Sequence, residues 1–192
     1  MGKGPQNPPH LARAAFAALV DRHQHALHTF LRGFTGNDEQ ARDLVQDTFH
    51  DAWRLAQAGT APFVADPTED DIRRWLFHTA YCKAISQLRR HRLVRWESLD
   101  AFANLMADDR QIPFEERIAE HEALRAALAQ LSSDDVACLL LRVVQGFSAA
   151  EVGQIIGASA EVVTKRLSRA KQRLRIAYLD QIAAPEEHHV HE

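Results

Sequence analysis

Apolar residues recur at three- and four-residue steps through almost every long segment of this chain, and that spacing suits helices rather than strands. The cleanest instance runs over 40–56. Ala41, Leu44, Val45, Thr48, Phe49, Ala52, Trp53, Leu55 and Ala56 form one unbroken face, opposite Asp43, Gln46, Asp47, His50, Asp51 and Arg54. Upstream, 12–34 carries a comparable stripe ending at Phe30, Leu31 and Phe34, and the turn Thr35-Gly36-Asn37-Asp38 supplies a cap for the next helix. The loop 57–70 holds Gly59, Pro62 and Pro67, after which a third periodic segment runs over 71–91. Residues 12–95 therefore read as a bundle of three or four helices.

Segment 96–117 changes character. Glu97, Asp100, Asp108, Asp109, Glu115 and Glu116 face only Arg110 and Arg117, and Pro113 interrupts it, so it reads as an acidic linker. A second helical unit follows over 118–180, with helices predicted at 118–130, 133–144, 148–156 and 159–179; residues 181–192 form a polar tail holding His188, His189 and His191. The fold class is all-α, two small helical domains joined by an acidic linker.

A net charge of −3 argues at first against a nucleic-acid partner. Its distribution reverses that. From 72 to 96 the charged residues are Arg73, Arg74, Lys83, Arg89, Arg90, Arg92 and Arg95, with no acid among them. From 162 to 179 they are Lys165, Arg166, Arg169, Lys171, Arg173 and Arg175, again with no acid. Two basic patches sit in an acidic frame, and local sign decides where a phosphate backbone docks.

The second patch lies within a helix-turn-helix pattern, 147–167 (FSAAEVGQIIGASAEVVTKRL). Ser148 and Glu151 make a capping box on a short helix, Gly157 supplies a sharp turn, and Ser159 caps a second helix. Val152, Ile155 and Ile156 are expected to pack against Val162, Val163 and Leu167. That leaves Ala160, Glu161, Thr164, Lys165, Ser168, Arg169 and Lys171 outward, as a recognition helix requires.

Together the two units resemble the sigma-70 family of RNA polymerase sigma factors, in its small extracytoplasmic-function (group IV) form. Segment 40–54 (QARDLVQDTFHDAWR) resembles the most characteristic stretch of sigma region 2, and 74–90 (RWLFHTAYCKAISQLRR) its promoter-contacting helix. The linker opening WESLD at 96–100 is also similar. LAQLSS at 128–133, CLLLRVVQGFS at 138–148 and SRAKQRL at 168–174 resemble region 4, and no region 3 domain intervenes. The resemblance implies that 12–95 docks on core RNA polymerase and reads the −10 element, while 118–180 reads the −35 element. Asp43, Gln46, Asp47 and Asp51 would face the clamp helices of the largest subunit; on the residues alone this acidic stripe is also what a solvated face looks like. DNA would be met by Arg73, Arg74, Lys83, Arg89, Arg90 and Arg92 in the first unit. In the second it would be met by Thr164, Lys165, Arg166, Ser168, Arg169 and Lys171. Trp75, Phe77, Tyr81 and Trp96, interleaved with the first basic patch, suit unstacked bases, although Trp75 also fits a core position. Tyr81-Cys82 and Ser86 depart from the family's common Arg-Asn and Asp, so the −10 sequence does not carry over.

The resemblance further implies promoter DNA and an anti-sigma factor as partners, a cytoplasmic location and no membrane insertion. No signal core or membrane span is evident. Catalytic constellations are missing, so the chain is expected to be no enzyme and to need no cofactor or metal. Cys82 and Cys138 read as buried thiols rather than a disulfide. Two other classes of protein share parts of this pattern: a ligand-sensing regulator that binds operators unaided, and a metal-dependent bundle built on His23, His25 and His28.

Overall fold

The computed structural model describes residues 9–59, 68–91, 123–124 and 126–183. The acidic linker 96–117, most of the 57–70 loop and the histidines of the tail lie outside the described residues. All described elements are helical.

Helix α1 spans Pro9–Thr35 and buries Leu27, Phe30, Leu31 and Phe34 completely. Asn37 then caps α2, Asp38–Gln57, its side-chain oxygen accepting from the Gln40 amide at 2.9 Å. Asp38 lies 3.1 Å from His28 Nε2 and pairs with Arg42 at the α1–α2 corner. The buried face of α2 is Ala41, Leu44, Thr48, Phe49 and Ala52, the stripe expected from its spacing. Helix α3, Glu69–His91, starts at Thr68, whose hydroxyl accepts from the Asp71 amide at 3.2 Å while the Asp71 carboxylate accepts from the Thr68 amide at 3.1 Å. Leu76, Phe77, Ala80, Tyr81 and Ala84 line its buried side. These three helices pack against one another as the first unit.

The second unit comprises α4 (Ser133–Leu139), α5 (Ala149–Ile156) and α6 (Ala160–Ala183), with helical residues at 123–124 and 126–129 before it. The helix predicted over 133–144 ends early as an α-helix. Its last stretch, Leu140–Val144, is a π turn in which the Gln145 amide donates to the Leu140 carbonyl at 3.0 Å. One extra residue per turn is absorbed there.

The two units are not separated in space. Helix α3 lies against α5, and α1 touches the π turn and α4. One continuous core results. An aromatic chain crosses the seam: Phe34 stacks on Phe30 at 5.7 Å, Phe30 meets Phe77 at 5.4 Å, and Phe77 meets Phe147 edge-on at 5.0 Å. Edge-on and offset pairs at such spacings add to what area burial alone provides.

Candidate nucleic-acid interface

The helix-turn-helix is built as its spacing implies. The Ser148 hydroxyl accepts from the Glu151 amide at 3.2 Å, and the Glu151 carboxylate accepts from the Ser148 amide at 2.8 Å. That hydrogen bonding holds the Glu151 carboxyl below its usual range. Gly157 closes α5 at φ 74°, a left-handed conformation natural to glycine. Gly153 has a second role that spacing did not reveal. Its carbonyl accepts from the Ala158 amide at 2.8 Å, and a β-carbon at 153 would collide with the Ala158 carbonyl. Ser159 caps α6 through the Val162 amide at 3.3 Å.

Along α6, Val163, Leu167 and Ala170 face inward, whereas Thr164, Lys165, Ser168, Arg169 and Lys171 are exposed. Two members of the predicted arrangement sit differently. Val162 was expected inside but is 41% exposed, because α6 enters the turn rotated toward Val163. Arg166 is half-buried: its guanidinium donates to Asp134 Oδ2 on α4 at 2.6 Å, a bond that raises its affinity for its proton. Lys165 pairs with Glu161 at 2.6 Å, an exposed pair of small energetic weight.

In the first unit the predicted residues divide into three groups. Asp43, Gln46 and Asp47 form an exposed face on α2. Asp51, predicted to share that face, is half-buried and accepts from Lys83 Nζ at 2.7 Å, which holds its carboxyl below the usual range. Lys83, predicted for DNA, is thereby engaged in the α2–α3 groove, which Asp43, Leu44, Asp47, Cys82, Ser86 and Gln87 also line. Opposite charges one helix apart explain the pairing; linear spacing could not, since 32 residues separate them.

Arg73 and Arg74 turn toward the second unit. The Arg73 guanidinium sits 4.0 Å above the Phe147 ring and donates to the Gln145 carbonyl. Arg74 pairs with Asp71 and lies 3.7 Å from Glu151. Arg89 is exposed, whereas the side chain of Arg90 and all of Arg92 lie outside the described residues, as does Trp96. Phe77 and Tyr81, read as possible base platforms, are core residues here, at 0% and 8% exposure. Trp75 is partly buried against the core, as its spacing suggested. Cys138 is buried as expected, but Cys82 is exposed. His23 is buried with Nε2 3.0 Å from Glu69, and burial lowers its pKa. Among the described residues, no three His, Cys, Asp or Glu side chains are placed to hold a metal, and no helix is long and apolar enough to cross a membrane.

A helix-turn-helix with an exposed basic face on an all-α chain is the form of a DNA-reading protein. Comparison with known proteins supplies the family. Residues 19–94 match the family model for Sigma-70 region 2, and residues 121–174 that for Sigma-70, region 4. The RNA polymerase sigma factor CnrH of Cupriavidus metallidurans is 31% identical over 169 residues, covering 83% of this chain and 84% of that one. The ECF RNA polymerase sigma factor SigL of Mycobacterium tuberculosis is 29% identical, covering 85% and 88%. A probable RNA polymerase sigma factor, RfaY of Xanthomonas campestris, is 28% identical, and this chain spans 42% of its length. Among solved structures, CnrH in complex with the cytosolic domain of CnrY superposes with a TM-score of 0.59 at 25% identity, over 90% of this chain and 91% of that one. The sigma factor RpoE of Bartonella quintana, in complex with the anti-sigma factor NepR, superposes at 0.61 and 21% identity, over 85% and 96%, and supports the fold. The chain belongs to the sigma-70 family of RNA polymerase sigma factors, in the extracytoplasmic-function group. Such a chain directs core polymerase to −35/−10 promoters and promotes local melting of the DNA.

Proposed function

We propose a division of labour along the chain: 12–95 for polymerase docking and the −10 element, 118–180 for the −35 element, and 96–117 as the acidic connection. The observation that carries it is a pair of exposed faces, Asp43, Gln46 and Asp47 together on α2 and Lys165, Arg169 and Lys171 together on α6. The α2 face meets the clamp helices of the largest polymerase subunit through Asp43, Gln46 and Asp47, with Asp51 reaching them once Lys83 is drawn to DNA. Thr164, Lys165, Ser168, Arg169 and Lys171 meet the −35 duplex, short polar groups at base edges and long basic ones at phosphates. Val162, exposed beside them, is an apolar group of the kind that contacts a thymine methyl. Arg73, Arg74, Arg89, Arg90 and Arg92 carry the −10 strand.

The chain works by binding rather than by catalysis. Capture of an unstacked base offsets the few kcal/mol of unstacking. Its proposed working place is the cytoplasm, alongside core polymerase and promoter DNA. Because CnrH and RpoE were solved in complex with CnrY and the anti-sigma factor NepR, an anti-sigma factor is the natural regulator here too.

Run-off transcription with purified core polymerase tests this reading, since only a sigma factor confers initiation at a defined start. Asp47→Lys places a cation against a basic partner surface and is expected to weaken holoenzyme formation by about tenfold or more. Undiminished assembly would remove α2 from the docking role.

A further inference from the structure

Helix α6 presents its polar side chains in three lines. At about 100° per residue, Glu161 and Lys165 lie within about 40° of each other, on the side away from the buried Val163, Leu167 and Ala170. Arg169 stands about 80° to one side of Glu161 and Lys171 about 80° to the other, and both are exposed. A helix seated in a major groove about 12 Å wide therefore turns Arg169 and Lys171 toward the two phosphate walls. Glu161 and Lys165 are left over the base edges between those walls. They also fall in the first turns of α6, the part of a recognition helix that reaches bases. Thr164, their neighbour there, has its hydroxyl proton engaged by the helix itself, donating to the Ala160 carbonyl at 2.9 Å.

Glu161 is the only acid of α6 before Asp180. A carboxylate carried into a groove walled by phosphates loses water and is repelled, so it is tolerated only opposite a donor. Lys165 Nζ and Glu161 Oε1 lie 2.6 Å apart, a donor and an acceptor side by side. A G·C pair carries the complementary arrangement in the major groove: guanine offers the acceptors O6 and N7, and cytosine the N4 amine. O6 and N4 share a Watson–Crick hydrogen bond, so they too stand about 2.9 Å apart.

We propose that Glu161 and Lys165 together read one G·C pair of the −35 element, an inference that rests on α6 being the −35 recognition helix. The Lys165 ammonium donates to guanine O6 and N7, while the Glu161 carboxylate accepts from cytosine N4. An A·T pair inverts both groups: the adenine N6 amine stands where Lys165 needs an acceptor, and thymine O4 where Glu161 needs a donor. Selectivity thus comes from rejection as well as attraction. Parting the two side chains costs little, because an exposed pair of this kind has small energetic weight. Lys165 is thereby taken off the phosphates, where its length alone would put it, and set on a base.

The test takes holoenzyme assembled from core polymerase and the full chain, offers it a promoter library randomised over both elements, and sequences the bound duplexes. One −35 position is expected to favour G·C over A·T by about tenfold or more. Glu161→Gln brings an amide that donates to thymine O4, and should abolish that preference or turn it toward A·T. Lys165→Met keeps the stem, removes the charge and should flatten the same position. Both side chains are exposed, so neither change disturbs the core. Uniform weakening by Lys165→Met with the preference intact would make Lys165 a phosphate contact and overturn the proposal. An unchanged preference in Glu161→Gln, or effects of the two variants at different positions, would overturn it equally. Binding with no −35 preference at all, and indifferent to Arg169→Ala and Lys171→Ala, would instead remove α6 from the −35 element and the proposal with it.

Discussion

Two thiols sit in one chain in opposite surroundings. Cys138 lies within the α4 core, and burial pushes its pKa up to about 11. The exposed Cys82, on α3, is also raised by partial desolvation, though without the enclosure that blocks a reagent. A thiol kept protonated by the fold contributes stability that is present below its ordinary pKa, about 8.5, and is lost as pH rises toward 11. Thiolate is the attacking form and the reagent must reach it, so Cys138, fully buried and held protonated, should react with a disulfide reagent much more slowly than the exposed Cys82. Mass spectrometry of the labelled native chain resolves the two sites. Equal rates would mean that α4 opens freely. The sequence placed both cysteines on helices, but which helix face Cys82 occupies depends on how α2 and α3 pack, and one segment's periodicity does not contain that.

At the scale of elements, the turn between α5 and α6 depends on a glycine whose importance is invisible in linear pattern. Gly153 looks like an ordinary weak point in a short helix, yet the carbonyl of Ala158 occupies the space a side chain would need. Gly153→Ala should destabilise the second unit by about 1–3 kcal/mol, the usual cost of overpacking, read as a lower midpoint in urea unfolding. Ser148, Gly157 and Ser159 were all legible because caps and turns are local chemistry. Gly153, Lys83 with Asp51 and Arg166 with Asp134 were not, because each is defined by a neighbour brought in by tertiary packing. Helix α6 makes a separate prediction. Replacing Arg169 and Lys171 by Ala should weaken −35 duplex binding and lower the slope of log affinity against log salt by about 0.9 for each phosphate that is no longer neutralised. A titration from low to high salt measures it, and an unchanged slope would show that those side chains do not meet the backbone.

The molecule as a whole departs most from its sequence reading. Composition shifts and the acidic stretch divide it into two units, and the family regions follow the same division. The core does not: Phe30, Phe77 and Phe147 pass from one unit into the other without a break. Buried apolar residues look alike in sequence whether they face their own unit or its neighbour, so the seam leaves no signature. Phe147→Ala is expected to cost about 3–5 kcal/mol and to lower the unfolding of both units together, in one calorimetric transition. Two transitions, with only the second unit's shifted, would show that the units are energetically independent.

The π turn at Leu140–Val144 bears on how such a chain changes over generations. A widening of this kind takes up one residue beyond the α-helical count while the turns on either side keep their facing. Phe147 follows three residues after that widening and meets Phe77 edge-on. The short stretch therefore acts as a buffer of chain length between the halves. A lineage that dropped one residue there would close the widening into a regular turn and keep the aim of its recognition helix.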